Sequence, residues 1–356
     1  MPIIELLAVN DLSWPYTKPL QLDLRLSQQP LFTPGYFFSS IQVLSFNQEF
    51  LQETQEFGFN NRGIKYCYLV SYLTNLTKLN LSCNNISDIS SVSKLKNLKK
   101  LYLGSNYIED ISVLQSLPDL IHLHLYENRI TSYTLALPSL VYLSLSDNKL
   151  QDKSGLQHSP KLERLYLSET KTTDLRTIPH QLFGLKDLNL YHNNIIEISY
   201  LSNFVDLQSL DLCHNKQLQN IGPLKFCTQL KKLRIDETSI ADLWPLQFMK
   251  NLKTLEMYKT KVVDLHPLQN LYQLQYISAY DACIIDITPL SKLTFLLFSL
   301  DFSFNQITDT DTLQHHKNFS NYNFQGQQVP KTDELKFYSK ILSVVALIQT
   351  RIYLCK

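Results

Sequence analysis

The motif L-x-x-L-x-L-x-x-N-x-I opens at Leu76 and returns at Leu98, Leu120, Leu140, Leu162, Leu185, Leu207, Leu230, Leu252, Leu274 and Leu297, at intervals of 22, 22, 20, 22, 23, 22, 23, 22, 22 and 23 residues. A period this constant excludes an ordinary globular core. Each unit is one strand plus a return segment with an apolar face it cannot bury alone, so neighbouring units must stack and share their leucines. The period therefore predicts a solenoid. Thr54, Phe57, Phe59 and Ile64 sit one period ahead of Leu76, Leu79, Leu81 and Ile86 and form a twelfth, degenerate copy.

The L-x-L centre of each copy reads as the strand, with positions one, four and six buried and positions three, five, seven and eight facing outward. The expected fold class is an α/β-type repeat solenoid: a curved array with a parallel concave β-sheet and convex segments that are short, irregular or single helical turns. Position nine holds Asn84, Asn106, Asn128, Asn148, Asn193, Asn215 and Asn305, where a buried amide can satisfy backbone groups of adjacent coils. Thr170, Thr238, Thr260 and Ala282 stand there in the other repeats. Because alanine cannot hydrogen-bond, the last third of the ladder is expected to be less regular.

A stack needs covers, since its end repeats would otherwise expose a slab of leucines to water. Residues 1–53 depart from the repeat but alternate Leu20, Leu22, Leu24 and Leu26 with polar residues, as a half-buried strand does, and are expected to be an N-terminal cap. The solenoid is placed at residues 54–307. Residues 308–356 form the expected C-terminal cap, in which Pro330 and the acidic start Asp333–Glu334 predict a helix over 332–354.

Composition narrows the partners. Thirty-three basic residues against thirty-two acidic ones give a net charge of +1, no electrostatic footprint for nucleic acid. The six cysteines, Cys67, Cys83, Cys213, Cys227, Cys283 and Cys355, show no paired spacing, so reduced structural thiols are expected. The start carries Glu5 and Asp11 without a basic run, and the apolar stretch from Ile341 to Leu354 is interrupted by polar residues, so neither a secretory signal nor a membrane span is predicted. Cytoplasmic residence is the expectation. Asn-x-Ser/Thr triplets begin at Asn75, Asn80, Asn85 and Asn318, and the first three lie where a glycan would collide with the stack.

Residues 54–307 resemble the leucine-rich repeat family in its 22-residue class. Asp242–Leu246, Asp264–Leu268 and Asp286–Leu290, the last reading D-I-T-P-L, are similar to return segments of bacterial internalins and of the leucine-rich regulatory subunit of protein phosphatase 1. The resemblance implies short turns on the return side and function on the concave face. Trp14 and Trp244 both lie outside the strand positions, so no phosphatase-contact residue is carried over.

On that face tyrosine stands out: Tyr102, Tyr126, Tyr142, Tyr166, Tyr191, Tyr258, Tyr276 and Tyr280 make eight of the chain's 20. Tyrosine brings a large amphipathic area at low entropic cost and is enriched at binding hot spots, although β-sheets also favour it in their own right. Position eight of three consecutive repeats is acidic, Glu127, Asp147 and Glu169, and is expected to form a carboxylate column that suits a basic partner element. Asp187, Asp211, Asp236, Glu237 and Glu256 extend the acidic character, and Arg164, Lys232 and Arg234 interrupt it. His122 and His124 share a strand face, and His192 and His214 share position eight, but no metal or cofactor is predicted. With no phosphate loop, H-E-x-x-H or G-x-S-x-G and only eight glycines, no enzyme is predicted.

The functional expectation is a non-enzymatic protein-binding module, an intracellular adaptor or regulatory subunit, with Arg164, His192, His214 and Arg234 joining the tyrosines and acids on the binding face. The alternatives are a surface adhesin of internalin type and a purely structural scaffold.

Overall fold

The computed structural model describes residues 5–7, 43–45, 55–293, 299–316, 318 and 321–327 of the 356-residue chain, in two units, Met1–Asp211 and Leu212–Lys356. The first unit opens with a short antiparallel ribbon, β1 (Glu5–Leu7) against β2 (Val43–Ser45). Eight strands follow: β3 (Glu56–Gly58), β4 (Lys78–Asn80), β5 (Lys100–Tyr102), β6 (His122–His124), β7 (Tyr142–Ser144), β8 (Arg164–Tyr166), β9 (Asp187–Asn189) and β10 (Ser209–Asp211). They pair in parallel in chain order, and the fourth-position residues Phe57, Leu79, Leu101, Leu123, Leu143, Leu165, Leu188 and Leu210 stand opposite one another along the row. The degenerate first repeat is thus a true member of the stack.

The second unit repeats the plan with β11 (Lys232–Arg234), β12 (Thr254–Glu256), β13 (Tyr276–Ser278), β14 (Ser299–Asp301) and β15 (Tyr322–Asn323), again parallel and in register through Leu233, Leu255, Ile277, Leu300 and Tyr322. In both units the first, fourth and sixth positions of the clear repeats, among the described residues, are buried almost without exposure, as in Leu140, Leu143 and Leu145.

The return side is built of 3-10 turns, most of them capped by an acid or amide two residues ahead of the turn. Asp88, Asp110, Asp152 and Asp174 accept the N–H of Ser90, Ser112, Ser154 and Arg176 at 2.7 to 2.9 Å. Asp242, Asp264 and Asp286 do the same for Trp244, His266 and Thr288, each at 2.8 Å. In the second unit Pro223, Pro245, Pro267 and Pro289 enter these turns at the first or second position, where a missing N–H costs no hydrogen bond. The 20-residue copy starting at Leu120 lacks such a turn and instead runs extended, with Ser132 bridging Asp152. Gly155 is required there, since a Cβ would sit 2.6 Å from the backbone nitrogen of Leu135.

The position-nine ladder is present. Asn106 donates to the carbonyls of Leu81 and Leu103 at 3.0 Å each, and its Oδ1 accepts from Ile86 N–H at 3.0 Å, so one amide ties two coils together. Thr238 and Thr260 reach back to carbonyls of their own repeats, Ile235 and Met257, at 2.7 and 2.8 Å. Ala282 adds nothing, yet Leu255, Ile277 and Leu300 keep their register, so the expected irregularity is confined to the amide ladder and does not reach the strands.

Two features differ from the sequence expectation. The stack does not stop at residue 307: β15 pairs with β14, and Gln327 donates to the carbonyls of Phe302 and Phe324 at 2.9 and 3.0 Å and accepts from Ile307 N–H at 2.9 Å. A glutamine thus does the work of the ladder asparagine in a copy too degenerate to match the motif. The expected strand at Leu20–Leu26 and the helix over 332–354 lie outside the described residues. Second, position eight is left-handed throughout: Cys83, Ser105, Glu127, Asp147, Glu169 and His192 in the first unit, and His214, Glu237, Lys259, Asp281 and Phe304 in the second, have φ of 49 to 60°. That conformation costs a non-glycine residue roughly 1 kcal/mol or more. It turns the chain off the strand while its N–H still bonds the next coil, as Glu127 N–H does to Ser146 at 2.9 Å.

Candidate functional site

On the strand face of the first unit the third and fifth positions build a row of stacked rings. Tyr102 on β5 packs on His124 of β6 at 4.5 Å between centroids, His124 on Tyr142 of β7 at 4.3 Å, and Tyr142 on Tyr166 of β8 at 5.2 Å. Parallel strands lie about 4.8 Å apart, within the centroid separations at which aromatic rings pair, so rings on neighbouring strands come into contact. The row ends where the Tyr166 hydroxyl donates to Asp187 Oδ2 on β9 at 2.6 Å. Burial, and secondarily His122, depresses the His124 imidazole to about 4, so it is a neutral ring at physiological pH. Burial and then the Asp187 carboxylate push the Tyr166 phenol up.

By sequence, the three tyrosines fall on the binding face, but His124, which completes them, is weighed only as a metal ligand beside His122. Its only signal was an imidazole at position five between two tyrosine-bearing repeats. Tyr126, at position seven, lies across Gly104 so closely that a Cβ on Gly104 would fall 2.2 to 2.6 Å from its ring. Tyr191 packs against His192 at 5.8 Å.

The expected carboxylate column follows the left-handed exits. Glu127 is held by the Ser105 hydroxyl, and Glu169 lies 3.4 Å from His192 Nδ1. Between them Asp147 is shifted upward by partial burial and then by the charges of Glu169 and Glu127, as expected of like charges on adjacent coils. Position eight thus gives four side chains in a line, three acidic and one imidazole.

In the second unit the charged groups pair with one another. Arg234 Nε contacts Glu256 at 2.8 Å, and Lys232 approaches the same carboxylate at 3.8 Å. His214 lies 3.2 Å from Glu237 and 3.4 Å from the Tyr258 hydroxyl, and Lys259 lies 3.6 Å from Glu237. Tyr276 lies on β13, and Tyr280 meets Phe304 edge to face at 5.2 Å.

Two acids are not displayed as expected. Asp211 is buried, with 7% exposure. Asp236 is fully buried, takes the Tyr258 N–H at 2.9 Å and the Cys213 thiol at 3.0 Å, and its carboxyl is pushed up by burial. Asp236 is an internal strut of the face. Among the described residues no group of three His, Cys, Asp or Glu is arranged to hold a metal.

The fold and its face define a class, the leucine-rich repeat solenoids. Family models for leucine-rich repeats match residues 74–116, 96–137 and 136–156, consistent with the fold and with the repeat motif of the chain. Among curated proteins, none matches it. Among solved structures it is similar to an internalin (inlF) of Listeria monocytogenes, at 29% identity over 82% of this chain and 79% of that one, with a TM-score of 0.63. A leucine-rich repeat protein of Leptospira interrogans shares the fold at 20% identity over 82% and 84% of the two chains, TM-score 0.65. So does a chain of the LRIM1/APL1C complex, at 20% identity over 84% and 60%, TM-score 0.53. Such a fold suggests a protein–protein interaction module. Among the described residues no helix is long and apolar enough to cross a membrane.

Proposed function

We propose that the chain is a non-enzymatic binding module whose strand face in the first unit receives a protein partner, with Tyr126, Tyr166 and Tyr191 as anchors and Glu127, Asp147 and Glu169 steering a basic element of that partner. The observation that carries this is the ordered ring row of the first unit set beside an acidic column. Rings already locked against one another lose little freedom on binding, which is what a hot spot requires. The six cysteines, which show no paired spacing, suit a reducing compartment and favour an intracellular adaptor or regulatory subunit.

Similarity to an internalin supports a second reading, a surface adhesin. Fractionation of the native cells separates the two, since an adhesin is recovered outside the cytoplasm. For the face itself the test is capture of the native partner by Tyr166→Ala and Tyr191→Ala variants. Each true anchor lost should weaken binding by about 2 kcal/mol or more, roughly thirtyfold. Unchanged capture by both variants, with folding intact, moves the site elsewhere and leaves a structural scaffold as the better account.

A further inference from the structure

Across β5 to β8, charge on the first unit's strand face is segregated, with Asp187 of β9 opposite Arg164 and bound to the Tyr166 hydroxyl. At the entry edge, position three, stand Lys100 on β5 and Arg164 on β8, both exposed and, among the described residues, outside any salt bridge, whereas Lys78 beside them is held by Glu56 at 2.9 Å. At the exit edge stand Glu127, Asp147 and Glu169. Beside the entry edge runs a row of Tyr102, His124 and Tyr166 at position five, which Tyr142 joins from position three, uncharged because its one imidazole stays neutral.

Two geometric facts restrict what can lie there. The rings stack at interplanar angles of 26, 22 and 33°, so their faces are used on each other and the partner meets ring edges and hydroxyls. An edge-on row is a poor platform for nucleobases or a proline-rich strand, which stack on open faces. The second fact is width. From position three to the acids at position eight is five residues, at most about 17 Å of extended chain and less because position eight turns off the strand, which leaves room for an α-helix 10–12 Å across with its side chains. The row itself crosses three strand spacings, about 14 Å, the length of about ten helical residues.

Resting on the proposed binding function, we propose that this face takes one partner α-helix laid across the strands, with an acidic flank against Lys100 and Arg164, a basic flank against Glu127, Asp147 and Glu169, and an uncharged line over the rings. A partner carrying only basic charge would satisfy one edge and be repelled at the other, so the two edges together select for flanks of opposite sign and fix the direction in which the helix lies.

The test uses the full chain and three labelled alanine-based helical peptides of about twenty residues: one with a glutamate flank and a lysine flank, one with lysine on both, one with glutamate on both. Anisotropy titrations at low salt should show the two-sign peptide binding about tenfold tighter than either single-sign peptide. The Lys100→Glu, Arg164→Glu double variant should reverse that order in favour of the all-lysine peptide. Both residues are exposed, and an unchanged melting temperature verifies folding. The proposal is overturned if the all-lysine peptide binds the native chain as tightly as the two-sign peptide, or if the double variant leaves the order as it was. Should that happen while Tyr166→Ala still weakens peptide binding, the face remains the site and only the two-flank chemistry falls; should Tyr166→Ala also have no effect, both fall together.

Discussion

His124 lies between Tyr102 and Tyr142 with a ring on each side, and a proton on it would place a charge where the sheet and its neighbours have excluded water. Its value falls from the ordinary 6.5 to about 4. A histidine depressed on folding contributes stability that is complete above 6.5 and is lost as pH falls through the interval down to about 4, because the unfolded chain takes up the proton first. Replacing it with phenylalanine should keep the row and remove that contribution: the drop in melting temperature between pH 7 and pH 4.5 should be smaller for His124→Phe than for the native chain, and an equal drop would show that other groups govern the acid limb. At this scale the sequence was only partly legible. Counting outward positions found Tyr102, Tyr142 and Tyr166, but their joining through an imidazole depends on contacts between residues about 22 apart. Likewise nothing local marks Asp211 and Asp236 as buried while Glu127 and Glu169 are exposed, since burial depends on what stands above each side chain.

At the scale of the element, each coil is held by its exit turn and its ladder residue more than by strand length, since most strands are only three residues long. Asn148 shows why. Its Nδ2 donates to Leu125 and Leu145 carbonyls at 2.9 and 3.0 Å, and its Oδ1 receives Ile130 N–H at 2.9 Å, so truncation orphans backbone groups of two coils at once. Asn148→Ala should therefore destabilise by roughly 2 kcal/mol or more, and Asn148→Thr by less, since a hydroxyl still reaches its own coil as Thr238 and Thr260 do. Denaturant titration would check this, and equal losses for the two variants would deny the ladder its role. The ladder could be read directly, because asparagine recurs at one position. The left-handed exits could not: glycine, the usual signal, is absent from position eight, where cysteine, serine, acids, histidine, lysine and phenylalanine all adopt the same turn.

Each unit of the molecule is an array in which a coil touches chiefly the coils before and after it, so damage should stay local. Leu123, fully buried on β6 in the first unit, is a suitable probe. Leu123→Ala should cost about 2–5 kcal/mol. The accompanying loss of amide protection should be greatest in β5 to β7 and small at β9 and β10, as hydrogen exchange can map. Uniform loss across the unit would instead mean that it opens as one body. By itself the sequence determined the period, the inward leucines, the asparagine rungs and the solenoid they demand, because each follows from spacing inside a single repeat. Only the tertiary structure decided that the stack continues to Gln327, that the exits are left-handed, and that four rings lie edge-on beside a basic border, with acids at the exits. Those features arise from register between coils, which sets which side chains meet and cannot be derived from any one repeat.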